Sequence, residues 1–347
     1  MPVFSPSELI TTSRAILEAA GASVEEAQIV ARHLIEANLA GHDSHGIIAL
    51  PKYVARMETK HIVAGAEFEI VSETPSTLVV DGHWGFGFTT TERTMKMAIE
   101  KAKANGVAAA TIRNQGHVGR LAAYTLMAAK EGMVAMMFAD SGRGPKQVVP
   151  FGGREPRLGT NPISFAAPSN LAGTVFLDMA TSAVAGGKLA LAAARGQQVP
   201  TGWVIDAEGN QTTDPRHHKN GGFLMPLGGS EGHKGYGLGV MVEILCGLLT
   251  GLGYGFSTTG KHNDGVFMAL FKADAFRPED EFKKDVTEFA EYLASTPPAK
   301  DFKRVYYPGE IEYLTMTDRT ANGINIEEKT WNKVLEVAAQ YGVSVPA

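Results

Sequence analysis

Two imidazoles, a carboxylate and a hydroxyl occur together in the segment Gly41-His42-Asp43-Ser44-His45-Gly46-Ile47. An imidazole, whose pKa is near neutrality, can exchange a proton with a carbonyl oxygen as hydride reaches the carbon. We therefore treat His45 as a candidate general acid, with Ser44 or Asp43 orienting its ring. Two alternatives are open. His45 could hydrogen-bond only to backbone, or it could bind a metal ion with His42, although no His-Glu-x-x-His motif supports a metal.

The helix before this segment has strong sequence signals. Ser23-Val24-Glu25-Glu26 forms a capping-box pattern, apolar residues then recur at helical spacing, and Gly41 ends the pattern. Ser5-Pro6-Ser7-Glu8 begins an earlier helix in the same way. A loop at a helix end is held in position by the helix, so we expect the His42–Gly46 loop to be functional.

From about Glu69 the pattern changes to short apolar runs bounded by turn residues, which predict strands at 76–82, 107–112 and 133–139. A helix predicted over 89–105 lies between two of them, and this alternation is typical of an α/β layer. Further helices are predicted at 287–293 and 327–341. The apolar region 236–256 predicts a buried helix and a glycine-rich turn, because Glu243 makes a membrane span costly.

A dinucleotide-binding Gly-x-Gly-x-x-Gly motif does not occur, so the sequence does not predict a Rossmann domain. Asn114-Gln115-Gly116-His117-Val118-Gly119-Arg120-Leu121 is a different candidate, because it follows a predicted strand and precedes a predicted helix. Small residues there let backbone N–H groups approach an anion, and Arg120 adds donors. A surface turn explains the same pattern.

Two other polar residues lie where they could contact a nucleotide. Asp178 follows the apolar run 174–177, so its carboxylate is placed to accept a ribose hydroxyl or to cap a helix. Lys234 precedes an apolar helix and could bind a phosphate or a ribose, or be a solvated surface lysine.

Composition narrows the class of ligand. The chain has 347 residues and a net charge of −5, which argues against a nucleic-acid or membrane surface and favours a small molecule. The single cysteine, Cys246, fits a reducing compartment, and Met1–Ser5 shows no secretion signal. We therefore expect a cytoplasmic protein.

Together the segments around His45, His117, Thr160, Asp178 and His233 resemble the malate/L-lactate dehydrogenases of the second type, which are nicotinamide-dependent 2-hydroxycarboxylate dehydrogenases. The resemblance covers nearly the whole chain. It implies His45 as proton donor, Ser44 as its relay partner and His117 as a further catalytic residue. It also implies contacts to NAD or NADP from His117, Val118, Gly119, Arg120, Leu121, Ser141, Asp178, Met179, Ala180, His233, Lys234, Gly309 and Glu310, and substrate contacts from Thr160, Lys52 and Tyr53.

The fold that the resemblance implies is an α/β (α+β) protein with a non-Rossmann nicotinamide-binding domain. Residues 1–72 together with 298–347 would form a mainly helical domain, and residues 73–297 a domain with a mixed, largely antiparallel sheet. The resemblance further implies a homodimer with active sites between domains.

One departure from the family pattern concerns the substrate. Many members have an arginine that binds the substrate carboxylate at the position occupied here by Ala49. Loss of that partner would cost several kcal/mol unless Arg120 or Lys52 supplies the charge. We therefore hypothesise that malate is not the preferred substrate.

The sequence thus predicts an NAD(P)-dependent oxidoreductase that interconverts a 2-hydroxycarboxylate and a 2-oxocarboxylate. Reduction of a C=N bond in cyclic imino acids or N-alkyl amino acids is a close alternative. A metal-dependent hydrolase using His42, Asp43 and His45, and a non-catalytic binding protein, are weaker ones. The choice between NAD and NADP is open, since Arg143 and Lys146 could contact a 2′-phosphate or lie in a solvated turn.

Overall fold

The computed structural model describes residues 1–140, 142–257, 261 and 264–345. Its α-helices are α1 (Pro6–Ala19), α2 (Val24–Leu39), α3 (Leu50–Glu58), α4 (Gly87–Asn105), α5 (Ala122–Lys130), α6 (Gly186–Ala194), α7 (His233–Val242), α8 (Glu279–Ala294), α9 (Glu310–Asn322) and α10 (Glu328–Gln340). A π-helix over Glu243–Leu248 continues α7. Both predicted capping boxes are confirmed: Ser5 caps α1 with Glu8, and Ser23 caps α2 with Glu26.

The strands are β1 (Val3–Phe4), β2 (Glu69–Glu73), β3 (Thr77–Gly85), β4 (Val107–Gln115), β5 (Met133–Ala139), β6 (Ile163–Ala167), β7 (Val175–Met179), β8 (Val204–Ile205), β9 (Gln211–Thr212), β10 (Phe223–Leu224), β11 (Val266–Lys272) and β12 (Ile324–Asn325). The main sheet has the order β2-β3-β4-β11-β5-β6-β7. In it, β3 and β4 pair in parallel and the other neighbours pair antiparallel. The predicted mixed, largely antiparallel sheet is confirmed.

Two buried cores position the site. The first is formed by residues from both chain ends, and β1 pairs with β12 beside it; its members include Leu9, Ile16, Leu34, Tyr53, Phe88, Trp331 and Val334. The second lies between the main sheet and helices α4 and α5, and includes Val80, Met95, Ile112, Tyr124, Met137 and Leu270. The division into domains 1–72 with 298–347 and 73–297 stays a prediction.

A helix forms within 236–256 as predicted, but the prediction that it is buried is wrong. Its apolar side chains are only partly covered, since Leu238, Met241, Leu248 and Leu249 are 44 to 60% exposed. Helical spacing identifies an apolar face, but it does not show whether another element of the same chain covers that face. Among the described residues, no helix is long and apolar enough to span a membrane.

Candidate active site

The loop that carries His45 is attached to the end of α2 by Asn38. The side-chain oxygen of Asn38 accepts a hydrogen bond from the Ile47 backbone N–H at 2.8 Å, and its amide nitrogen donates to Asp43 Oδ1 at 2.7 Å. Gly46 makes this close approach possible, because a Cβ atom there would lie 2.2 Å from the Asn38 oxygen. The loop between α2 and α3 is therefore held at two points by one buried side chain.

Arg319 of α9 holds the same loop from the other end of the chain. Its Nη1 and Nη2 atoms donate to Oδ1 and Oδ2 of Asp43 at 2.7 and 3.1 Å. Both carboxylate oxygens of Asp43 are thus bound to Arg319, so Asp43 anchors the loop. The alternative in which Asp43 orients the ring of His45 is wrong, and Ser44 is the residue beside that ring.

His45 is half-buried, and its Nδ1 atom lies 3.0 Å from the hydroxyl oxygen of Ser44. Burial lowers the pKa of His45 to about 4, with a smaller contribution from the charge of nearby His42 and with Asp264 opposing the shift. The imidazole is therefore neutral near pH 7 in the ligand-free protein. A neutral imidazole can accept a proton at Nε2 while Nδ1–H donates to Ser44.

His117 lies beside His45, with their ring centroids 5.8 Å apart. The Tyr53 hydroxyl group, on α3, is 2.7 Å from His117 Nδ1. Tyr53 is only 2% exposed, and burial raises the pKa of its phenol, which therefore keeps its proton. The structure thus brings Ser44, His45, Tyr53 and His117 together.

The turn from His117 to Leu121 is held by two carboxylates from distant segments. The backbone N–H of Val118 donates to Asp264 Oδ2 at 2.9 Å, and that of Ala122, the first residue of α5, donates to Asp178 Oδ2 at 2.7 Å. Asp178, within β7, therefore accepts a backbone N–H at the start of a distant helix and does not begin a helix of its own. Gly119 has φ +72°, and a Cβ atom there would meet the Phe88 ring at 2.4 Å.

Arg120 is a buried cation in this turn. Its Nε atom lies 4.0 Å from Asp178 Oδ2, its guanidinium lies 5.2 Å from the centroid of the Phe176 ring, and Nε has no hydrogen-bond partner within the described part of the chain. Desolvation lowers the pKa of Arg120 and raises that of Asp178. A buried guanidinium with an unused donor is suited to an anionic ligand group.

Other predicted contacts lie on β7, in the residues after it and at the start of α7. Met179 and Ala180 follow Asp178 and are half-buried, and the next residue, Thr181, donates its backbone N–H to the carbonyl oxygen of Thr160 at 2.9 Å. His233 and Lys234 are exposed in the first turn of α7, and Lys234 lies 3.3 Å from Glu231.

The remaining predicted cofactor and substrate contacts come from separate segments of the chain. Gly309 has φ +95° at the start of α9, packed on Phe176. Glu310 pairs with Arg304 and accepts the Tyr307 backbone N–H, so its carboxylate braces the chain before α9. Leu121 is buried and Lys52 is exposed. Ser141 lies outside the described residues.

Lys146, considered for a 2′-phosphate, is buried in an ion pair. Its Nζ atom donates to Glu243 Oε1 at 2.9 Å and to the Gly142 carbonyl oxygen at 2.7 Å. The alternative in which Lys146 lies in a solvated turn is wrong, because its ammonium group is buried and forms an ion pair with Glu243. Arg143 is exposed and remains the candidate for a 2′-phosphate.

Sequence reasoning missed the residues that support the site from a distance. Asp264 accepts the backbone N–H of Val118 in the turn. The loop of His45 is held by Asn38 and Arg319. Arg56 has a buried guanidinium nitrogen, Nη1, without a hydrogen-bond partner among the described residues. Arg56 lies one helical turn after Lys52. The other three residues have no local signal in the sequence, because each acts through a contact that only the folded chain creates.

Comparison with known proteins shows similarity along the whole chain. The family model for malate/L-lactate dehydrogenase matches residues 4–335. Malate dehydrogenase of Pyrococcus abyssi (strain GE5 / Orsay) is 39% identical over 346 residues, which are 97% of this chain and 94% of that protein. The solved structure of Entamoeba histolytica malate dehydrogenase matches with a TM-score of 0.93 at 32% identity, covering 100% of this chain and 99% of that one. That of Pseudomonas syringae pvar. tomato Δ1-piperideine-2-carboxylate reductase matches with a TM-score of 0.86 at 29% identity, covering 97% and 100%.

Proposed function

Because this chain belongs to the malate/L-lactate dehydrogenase family, we propose that it interconverts a 2-hydroxycarboxylate and a 2-oxocarboxylate with NAD or NADP, using His45 as proton donor and acceptor. The observation that carries the proposal is the Ser44–His45 pair stacked beside His117 and Tyr53. It joins a neutral imidazole to two further groups that can hydrogen-bond a hydroxyl or a carbonyl oxygen.

The proton transfer follows from the hydrogen bond between Ser44 and His45. If Nδ1–H donates to the Ser44 oxygen, the lone pair of Nε2 is left to take the proton of a substrate hydroxyl. In the opposite direction His45 must first gain a proton, which an incoming substrate anion makes easier. His117, held by Tyr53, can donate or accept a second hydrogen bond to the same substrate oxygen.

The cofactor would be held by the turn at His117–Leu121, by Ser141, by Asp178–Ala180, by His233 and Lys234, and by Gly309 and Glu310. The buried Arg120, whose Nε donor has no partner in the described chain, fits an anionic group there. When bound, the nicotinamide ring supplies or takes up the hydride. Because the ammonium group of Lys146 is bound to Glu243, we propose Arg143 as the basic side chain that distinguishes NADP from NAD.

Reduction of a cyclic imine is a second candidate function. It is favoured by one observation, the match to Δ1-piperideine-2-carboxylate reductase over 97% of this chain. The same imidazole could protonate the product nitrogen. The hydrolase alternative is less well supported, because both carboxylate oxygens of Asp43 are bound to Arg319.

The first test is the oxidation of NADH and NADPH by the purified protein with a panel of substrates. The panel contains pyruvate, oxaloacetate, larger aliphatic and aromatic 2-oxo acids, and Δ1-piperideine-2-carboxylate. We expect turnover with a 2-oxo acid other than oxaloacetate, and a loss of about 10²–10⁴-fold in kcat for His45→Gln, because a positioned general acid contributes that much.

His83→Gln is the matched control, because His83 is exposed and pairs with Glu69 of the edge strand β2. It should keep full activity. Turnover with the imine alone would replace the main proposal by the second, and a fully active His45→Gln variant would remove His45 from the mechanism.

We further propose that the protein is a cytoplasmic homodimer. The exposed apolar face of α7 and the π-helix, formed by Leu238, Met241, Leu248 and Leu249, supports association with another apolar surface. The single thiol, Cys246, is buried and free, as suits a reducing compartment.

A further inference from the structure

Arg56 presents an unused donor in the interior. Its Nη1 atom is buried and has no hydrogen-bond partner among the described residues, although the side chain as a whole is only half-buried. A guanidinium nitrogen removed from water without a partner is unfavourable. The protein therefore keeps a donor there that a ligand could satisfy.

The helix geometry directs this side chain towards the catalytic residues. Ala49, Lys52, Tyr53 and Arg56 recur at helical spacing, so they share one face of α3 and of the turn before it. Side chains on a helix lean towards its N-terminus, and Arg56 interacts electrostatically with both Lys52 and Tyr53. Tyr53 in turn contacts His117.

Positive charge exceeds negative charge around this face of α3, which favours binding of an anion. Lys52 and Arg56 are two cations; desolvation lowers the pKa of both, and the charge of Arg56 further lowers that of Lys52. Asp264, which acts on both of them, is the opposing carboxylate. These three groups together have one excess positive charge, which matches one carboxylate.

Arg120 is less available for that task. Its guanidinium lies near Asp178 and over Phe176, so its charge already has a counter-ion. Ala49 is half-buried against the first core and has no charge to offer. The positive charge at the α3 side of His117 therefore comes from Lys52 and Arg56.

We propose that Arg56, assisted by Lys52, binds the carboxylate of the 2-oxocarboxylate substrate and so determines specificity in this chain. This inference rests on the proposed function and adds a residue to it. The guanidinium would hold the acid group while the 2-oxo oxygen lies towards His45 and His117.

The test compares an acid with its uncharged amide. Arg56→Met should raise KM for the preferred 2-oxo acid about 100-fold, because a lost buried charge partner has an effect of this size. It should leave kcat/KM for the corresponding 2-oxo amide unchanged within about twofold. Arg56→Lys should recover part of the loss, and Arg14→Met, at an exposed position of α1, is the matched control.

A second readout needs no turnover. Oxamate, a 2-oxo acid analogue, is titrated calorimetrically into protein saturated with NADH and, separately, with NADPH. Its affinity should fall about 100-fold in Arg56→Met, while the affinity for the cofactor alone should not change.

The outcomes separate the two proposals. Unchanged KM and unchanged oxamate affinity in Arg56→Met, or equal losses with acid and amide, would overturn the role of Arg56. Oxamate binding that depends on Arg56, without turnover of any 2-oxo acid by the wild-type protein, would support Arg56 and overturn the proposed function. Wild-type protein that neither binds oxamate nor turns over a 2-oxo acid would overturn both.

Discussion

If His45 is the proton donor and acceptor that we propose, its charge determines which direction of the reaction needs a proton first. Burial, with smaller contributions from the charges of His42 and Arg120, lowers its pKa to about 4, so the proposed base is neutral in the ligand-free protein and ready for a hydroxy acid. The Ser44 hydroxyl at Nδ1 can follow a change in protonation, because a hydroxyl both donates and accepts. Oxidation thus begins from the resting state, whereas reduction begins from a minor protonated state.

This asymmetry predicts two different pH profiles. We expect kcat/KM for oxidation of the hydroxy acid to stay level down to about pH 5, because the free enzyme protonates His45 only near pH 4. For reduction, kcat/KM should fall about tenfold per pH unit above that pKa. Steady-state kinetics in both directions measure this. An oxidation profile with its midpoint near the ordinary histidine pKa of about 6.5 would show that His45 is not the base.

At the scale of elements, a buried polar cluster joins the end of β5, the start of β11 and the π-helix. Asp140 follows β5 and accepts the backbone N–H groups of Gly142 and Gly265 with Oδ1, while its Oδ2 has no partner in the described chain. Glu243 of the π-helix binds Lys146 with Oε1, and its Oε2 is also without a partner there. Gly247 allows the close approach, since a Cβ atom there would lie 2.9 Å from Asp140 Oδ2.

Burial and the charge of Glu243 raise the pKa of Asp140 from 3.8 to about 7. A raised carboxyl pKa contributes stability below about pH 4 that is lost as pH rises through about 7. Asp140→Asn keeps Oδ1 and removes the titration. We therefore expect the variant to be more stable relative to the wild type at pH 8 than at pH 4. The difference in the free energy of unfolding, variant minus wild type, should be roughly 1–3 kcal/mol larger at pH 8. Urea denaturation of the ligand-free protein at both pH values measures the difference. Asp280→Asn, at an exposed position of α8, is the control, and an equal effect of Asp140→Asn at both pH values would contradict the prediction.

For the whole molecule, the exposed apolar face of α7 and the π-helix predicts self-association. We expect wild-type protein to be a dimer at micromolar concentration, and Met241→Glu with Leu249→Glu to be monomeric, because burying two carboxylates in an apolar interface is costly. Sedimentation equilibrium gives the mass of each form. Phe289→Glu, on the exposed side of α8, should remain dimeric; a monomeric wild-type protein, or a dimeric double variant, would contradict this use of the face.

Local signals in the sequence were sufficient for the helices that carry the site. The capping box at Ser23 and Glu26 and the glycine at Gly41 are read within a few residues, because caps and helical spacing are short-range features. The same holds for the strand over Met133–Ala139. The motif around His117 was predicted from its place between a strand and a helix.

Only the tertiary structure decided how these pieces meet. Val118 and Asp264 are 146 residues apart, and Asp43 and Arg319 are 276 apart, yet each pair forms a hydrogen bond at the site. It also decided that Lys146 is buried and that the face of Met241 is exposed. The sequence determined what each segment forms, because caps and periodicity act over one or two turns. The partners of a side chain depend on which distant segments pack beside it, and that is a property of the folded chain alone.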